Sequence, residues 1–436
     1  MRVLFTTFAA KAHLHAQITL AWALQAAGHE VRIASQPDMA EHIAGAGLTA
    51  VEIGEPLLLD QLMQKGMEQL EEGEEMPTFE SVGIDFSESR PELLTWDYAL
   101  GVMTTLASLT FTRINSERMV DDLVAYAREW RPDLVIWDTL TLAGPIAAKA
   151  CGAAHTRLLF GLDALGRMRD IFLKHLERRP PERREDPIAE WMGWLLDKYG
   201  HPFSEELVTG QWTIDPVPSS MRFPLSLPTV PVRYVPYNGP SRVPKWLHTS
   251  PERERICVTL GLSKREVLGG DKCSIEDLIE AVADLDVEVV ATLDEKQRST
   301  LDRVPNNVRL ESFVPLNALL PSCSLVIHHG GAGTFGTAMV HGLPQIIVPD
   351  LSWDIPHRGR ALADQGAAVF LENPKTFTAD ELLEHILTVR NTPSFRVNAE
   401  RMRKETMRTP APAQIVPVLE RLANEYREHG SATVSL

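Results

Sequence analysis

The sequence predicts two doubly wound α/β domains in tandem, facing each other across a cleft. Three observations carry that prediction. Apolar runs of strand length alternate with helical segments along both halves, and the alternation breaks once, in a proline-rich stretch near the middle. The length, 436 residues, also exceeds what one ordinary hydrophobic core holds.

The first half opens with Arg2–Thr7 (RVLFTT), an apolar run that reads as a buried strand. Gln17–Ala27 follows with helical spacing, Gly28 ends that helix, and Val31–Ser35 starts a second strand. Strand, helix and strand in such a short span make a βαβ unit, which requires a parallel sheet. Asp133–Trp137, Leu142–Ala150 and His155–Phe160 repeat the rhythm. Between them, Leu57–Leu94 is acidic and irregular and Thr95–Glu129 is mostly helical, while Glu177–Asp186 (ERRPPERRED) reads as a solvated loop.

Eight prolines then fall between Pro216 and Pro244, too densely for helices or strands of normal length, so 216–244 is assigned as the linker. Beyond it, strands are expected at Ile256–Leu260, Val287–Ala291, Val308–Glu311, Leu325–His328, Gln345–Val348 and Ala367–Leu371. Helices at Ile275–Asp284, Gly333–His341, His357–Gln365 and Ala379–Arg390 separate them. The division is 1–215, 216–244, 245–410, and a C-terminal helix and tail at 411–436 that suits either domain.

Composition narrows the function classes. The chain is 44% hydrophobic and 23% charged, which describes a globular protein. With 43 basic against 59 acidic residues, the net charge of −16 argues against nucleic acid or an anionic membrane as partner. Cys151, Cys257, Cys273 and Cys323 are too dispersed for a zinc site or a disulfide framework. No apolar run is long enough to span a bilayer and the N-terminus lacks signal-peptide character, so a cytoplasmic protein is expected.

The chemistry concentrates at two places in the second half. His328–Thr334 (HHGGAGT) directly follows an apolar strand and opens a helix. Its glycines let backbone approach a ligand, and the helix N-terminus offers free N–H groups and a positive dipole end, a combination suited to a diphosphate. His329 and Thr334 add side-chain donors, but the run is neither a Walker A loop nor GxGxxG. A structural tight turn is the plainer reading of glycines after a strand. Gly342–Asp354 (GLPQIIVPDLSWD) then brings Asp350 and Asp354 to the carboxyl edge of the sheet, where a carboxylate can accept hydrogen bonds from sugar hydroxyls. Asp354 is equally placed to cap the helix that follows.

His328–Asp354 resembles the donor-binding signature of natural-product glycosyltransferases of the GT-B fold, which has two Rossmann-like domains. Gln211–Ser263, with QWTIDPVPSSMRFPLSLPTVPVRYVPYNGPSRVPKWL followed by ICVTLGLS, is similar to actinobacterial transferases that attach deoxysugars to polyketides, of the erythromycin-type desosaminyl class. The resemblance implies a dTDP-deoxysugar donor, a polyketide (macrolide-type) aglycone acceptor and an inverting reaction without a metal or other cofactor. It implies that His329, Gly331, Gly333 and Thr334 hold the diphosphate, that Phe313 and Val314 meet the base, and that Ser263 reaches the phosphates. Several such relatives need a helper protein that itself resembles a haem monooxygenase, with Leu57–Glu129 as the region to host it. One departure stands out: Asp354 is followed by Ile355, where many relatives have Asp-Gln. Loss of that amide suits a deoxygenated sugar.

Transfer to an alcohol needs a base, and histidine titrates in the right range. His13 and His15 both fall after the first strand; counted back from Gly28-His29, His13 matches the family's catalytic histidine. Asp138, at the end of DLVIWD, matches its partner carboxylate, with a helix cap as the alternative. Phe79, Phe86, Trp96, Tyr98, Phe160, Met168 and Phe172 are candidates for an apolar acceptor pocket or for plain core. Asp284-Leu285-Asp286, the one DxD, reads as a surface turn. The competing functions are a UDP-sugar transferase for phenolic or steroid acceptors, an inactive sugar-nucleotide-binding module, and a hydrolase or epimerase of the same fold.

Overall fold

The computed structural model describes residues 1–59, 61, 86–260, 274–349, 353–373, 376–430 and 434. Each half of the chain builds one parallel sheet. The first has seven strands: β1 (Arg2–Thr6), β2 (Glu30–Ser35), β3 (Thr49–Glu52), β4 (Leu134–Asp138), β5 (Ala154–Leu158), β6 (Trp212–Asp215) and β7 (Thr229–Pro231). Their order across the sheet is β3-β2-β1-β4-β5-β6-β7. The second has six: β8 (Arg255–Thr259), β9 (Glu288–Thr292), β10 (Val308–Glu311), β11 (Leu325–His328), β12 (Gln345–Ile347) and β13 (Ala368–Phe370), ordered β10-β9-β8-β11-β12-β13. Both are Rossmann-like, and in both the chain reverses direction across the sheet at one place, between β1 and β4 and between β8 and β11.

The central strands are buried on both faces, so they read as unbroken apolar runs rather than alternating ones. Seven helices matter for the site: α1 (Lys11–Ala26), α2 (Glu117–Trp130), α3 (Ala143–Cys151), α4 (Ala164–Glu177), α5 (Ala332–His341), α6 (Ile355–Asp364) and α7 (Pro412–His429). On the first sheet, Leu4 and Val135 pack with α2 and α3, while Val3 and Phe5 pack on the other face with α1 and α7. The C-terminal helix therefore returns to the first domain.

Two expectations need correction. The first helix was placed at Gln17, leaving His13 in a loop. It begins at Lys11, because Lys-Ala-His-Leu-His-Ala are adequate helix formers and nothing interrupts them after Ala10. Backbone bonds from His13 and Leu14 to the Ala10 carbonyl, both 3.1 Å, put His13 in the first turn and His15 in the second. The stretch 216–244 was read as free of normal strands, but Thr229–Pro231 inside it is strand β7. Its three residues, with Pro231 among them, suffice there because β7 is an edge strand, where a proline breaks no ladder. Asp284-Leu285-Asp286 lies in a turn, with exposed Asp286 paired to Arg253.

Two buried histidines sit in the strands. Burial pushes His155 in β5 and His328 in β11 down from 6.5 to about 3. Both are neutral in the folded protein, whereas in the unfolded chain they take up a proton near pH 6.5, so stability is full above that value and is lost as pH falls below it. His155→Leu should therefore flatten the pH dependence by about one proton. Urea denaturation at pH 7.5 and pH 5.0 reads this: wild type should lose more stability than the variant on acidification, and equal losses would contradict the assignment.

Candidate active site

At the first reversal point, β1 delivers His13 through a short turn and β4 ends in Asp138. His13 Nδ1 lies 2.7 Å from Asp138 Oδ2. The carboxylate is 2% exposed, and its Oδ1 accepts the Leu140 N–H at 2.9 Å. It does not cap α3. Asn115 does, accepting the Ala143 N–H through Oδ1 and donating Nδ2 to the Leu140 carbonyl, each at 2.9 Å. Freed of that task, Asp138 orients the imidazole, and the pairing leaves Nε2 as the nitrogen able to accept a proton. Phe8 and Phe160 hold the ring from two sides at centroid distances of 4.5 Å. Nothing in the residue pattern marked Asn115, whose bonds to Leu140 and Ala143 span 25 or more positions, and Phe8, close to His13 in sequence, reads as plain core.

His15 is a poor base by comparison. Burial, with the charges of His42 and Lys11, lowers it to about 4, and its ring meets Tyr237 edge-on at 4.9 Å.

The second reversal point carries the glycine turn. His328 sets its shape: Nε2 donates to Gln345 Oε1 at 2.8 Å, so Nδ1 accepts the Gly330 N–H at 3.0 Å. Gly330 has φ of +92°, and a Cβ there would come within 2.6 Å of Ile355 Cγ2. A Cβ on Gly331 would meet the His329 ring at 2.5 Å. Helix α5 starts here, its first intrahelical bond running from Phe335 N to the Gly331 carbonyl. The N–H groups of residues 332–334 thus have no helical acceptor and face the turn. Thr259 and Thr292, at the carboxyl ends of β8 and β9, share a hydroxyl hydrogen bond of 2.6 Å beside it.

Asp354 has partners that the sequence does not indicate. Its carboxylate is 1% exposed, and Oδ2 accepts the Leu162 N–H of the other domain at 2.8 Å while facing Arg358 Nη1 at 3.2 Å. Arg358, buried itself, donates to the Gly330 carbonyl at 2.8 Å. One oxygen of Asp354 is therefore held in a bridge between domains, and its side chain makes no cap bond to α6. Arg358 was invisible in the sequence, since nothing distinguishes it there from a surface arginine.

One cavity of about 390 Å³ lies between the domains. His13 and Phe160 enter it from the first domain; Phe313, Val314, His329, Gly331, Gly333, Thr334, Asp354 and Ile355 enter it from the second. Ser263 and Phe79 lie outside the described residues, as do Asp350 and much of the stretch assigned to a helper protein. Among the described residues no cluster of three or more His, Cys, Asp or Glu forms a metal site, and no helix is long and apolar enough to cross a membrane.

The chain matches the erythromycin biosynthesis protein CIII-like N-terminal domain over residues 22–261 and the corresponding C-terminal domain over 276–422. It belongs to that family. It is a glycosyltransferase with the GT-B fold. Aclacinomycin-T 2-deoxy-L-fucose transferase of Streptomyces galilaeus is 57% identical over 99% of this chain and 98% of its own. 10-Deoxymethynolide desosaminyltransferase of Streptomyces venezuelae is 50% identical over 98% of each. The solved structure of glycosyltransferase VinC in complex with dTDP superposes with a TM-score of 0.86 at 42% identity, covering 98% of this chain and all of that one.

Within this glycosyltransferase, the aromatic candidates divide. Phe160 lines the cavity, and Phe86 packs on Trp353 at 4.7 Å, whereas Met168 and Phe172 are fully buried core and Trp96 stacks on Phe172. Gly330→Ala should cost about 1–3 kcal/mol, because φ is positive and Ile355 fills the space a side chain needs. Calorimetric unfolding checks this, and an unchanged melting temperature would mean the turn relaxes freely.

Proposed function

We propose that this enzyme transfers a deoxysugar from a dTDP-sugar to a hydroxyl of a polyketide aglycone, with inversion at the anomeric carbon and without a metal. The observation that carries the reading is the His13–Asp138 pair opening into the same cavity as the glycine turn and the N-terminus of α5. A base and a diphosphate cradle are the two things such a transfer requires.

In this mechanism His13 Nε2 takes the proton of the acceptor hydroxyl, and Asp138 stabilises the imidazolium that results. The acceptor oxygen attacks the anomeric carbon from the face opposite the nucleotide, and the bond to the diphosphate oxygen breaks with its electron pair. The departing charge meets the N–H groups of residues 332–334, His329 and Thr334, which are fixed before the reaction begins. The nucleobase lies along Phe313 and Val314. Ile355 presents methyl groups to the cavity where an amide would suit a hydroxyl-rich sugar, which favours a deoxygenated one. The relatives, named as transferases of 2-deoxy-L-fucose and desosamine, support the same donor class.

Calorimetric titration with dTDP and with UDP, without added metal, tests the donor assignment: dTDP should bind more tightly, and a preference for UDP would overturn it. His13→Ala should lower kcat by about 10²–10⁴-fold, and Asp138→Asn should lower it too, with the dTDP dissociation constant little changed. Turnover of His13→Ala within a few-fold of wild type would rule out His13 as the base.

A further inference from the structure

The chain crosses between domains twice, after β7 and again before α7, and the crossings are tied together where Arg233 N donates to the Pro410 carbonyl at 2.7 Å. The next residue, Tyr234, reaches the first turn of α5. Its hydroxyl donates to the Gly333 carbonyl at 3.1 Å, and Thr337 Oγ1 donates to the same oxygen at 2.6 Å. The ring lies against Gly336, where a Cβ would come within 2.8–3.0 Å of three ring atoms. Alanine is otherwise preferred over glycine inside a helix, so the glycine here makes room for the tyrosine. Burial raises the phenol above its ordinary value, which keeps it a neutral donor. Further along the crossing, Asn238 Oδ1 accepts the Asn317 N–H at 2.9 Å, beside Phe313 and Val314. The crossing segment is thus pinned to the second domain at both ends of the cavity it lines.

We propose that Tyr234 is a positioning residue for the donor diphosphate, holding the first turn of α5 at the angle that aims its N–H groups into the cavity and coupling that turn to the interdomain crossing. The inference rests on the reading of α5 as the diphosphate site. It explains why a tyrosine, and not merely an apolar residue, stands here: the ring sets the distance of the crossing from the helix, and the hydroxyl sets the rotation. Donor contacts of this kind lose strength with sub-ångström displacement, so a residue that acts through the helix can govern affinity.

The test uses the full-length protein and calorimetric titration with dTDP and, separately, with thymidine, which lacks the diphosphate. Tyr234→Phe keeps the ring and should weaken dTDP binding about 3–10-fold, the worth of one hydrogen bond, with thymidine unaffected. Gly336→Ala should weaken dTDP at least as much. In a Tyr234→Ala background the same Gly336→Ala change should add nothing, since the Cβ no longer meets a ring. If wild type binds dTDP and both Tyr234→Phe and Gly336→Ala bind it equally well, the positioning role is wrong and the donor reading stands. Equal weakening of dTDP and thymidine would also overturn the role, marking general loosening instead. Failure of wild type to bind dTDP would overturn both readings.

Discussion

A parallel strand cannot be followed directly by its neighbour, and this constraint organises the molecule. The chain must return along a helix after each strand, so every strand of a sheet ends at the same edge. Where the winding reverses, the helices leaving adjacent strands go to opposite faces and a crevice opens between them. In the first sheet, β1 and β4 run side by side, Thr6 level with Trp137, while α1 and α3 depart to opposite faces. His13 and Asp138 are 125 positions apart in sequence and meet in that crevice at 2.7 Å. The second sheet repeats the device with β8 and β11, where His328 lies level with Thr259. Neither half holds both the His13–Asp138 pair and the glycine turn. The cavity has both because two such crevices open into it.

Buried polar groups hold this arrangement only where each has a partner. A buried Arg358 would be costly alone, but its charge is matched by Asp354 and it donates to the Gly330 carbonyl. The same Asp354 oxygen accepts the Leu162 N–H across the domain boundary. Gly161 must be glycine for that approach, since a Cβ there would strike the carboxylate and the guanidinium. The glycine turn is thereby connected, through two side chains, to the loop that carries Phe160 against His13.

Much of this was legible in the sequence, for a physical reason. The central strands are buried on both faces and form unbroken apolar runs, and with the βα alternation to place the half-exposed edge strands β10 and β13, all six strands of the second sheet and four of the first are readable. The three missed, β3, β6 and β7, are short and lie at or next to an edge; β3 and β7 also keep one side partly exposed, which blurs the pattern. The glycine turn and the His13–Asp138 pair were readable because they sit at strand ends, where βα order predicts the edge. Asn115, Arg358 and Tyr234 were not, since each reaches a backbone carbonyl 25 or more residues away and nothing local marks it. Asp354 shows the limit from the other side. The sequence brings it to the carboxyl edge of the sheet, but which group its carboxylate meets depends on the opposite domain.

The aromatic rings between the domains take this dependence further. Trp353, in the second domain, adopts a φ of +58°, a conformation costly for a large side chain unless packing holds it. The packing comes from the first domain: Phe86 at 4.7 Å and Phe160 at 6.5 Å. Phe160 in turn meets the His13 ring at 4.5 Å. A strained loop beside Asp354 is therefore stabilised by the same residue that holds the imidazole. Moving the domains apart would take Trp353 from Phe86 and Phe160, release the Asp354–Leu162 bond and leave Phe160 without the ring behind it. The conformation of the 353–354 loop and the packing behind Phe160, which itself holds the His13 ring, thus draw on the same interdomain contact.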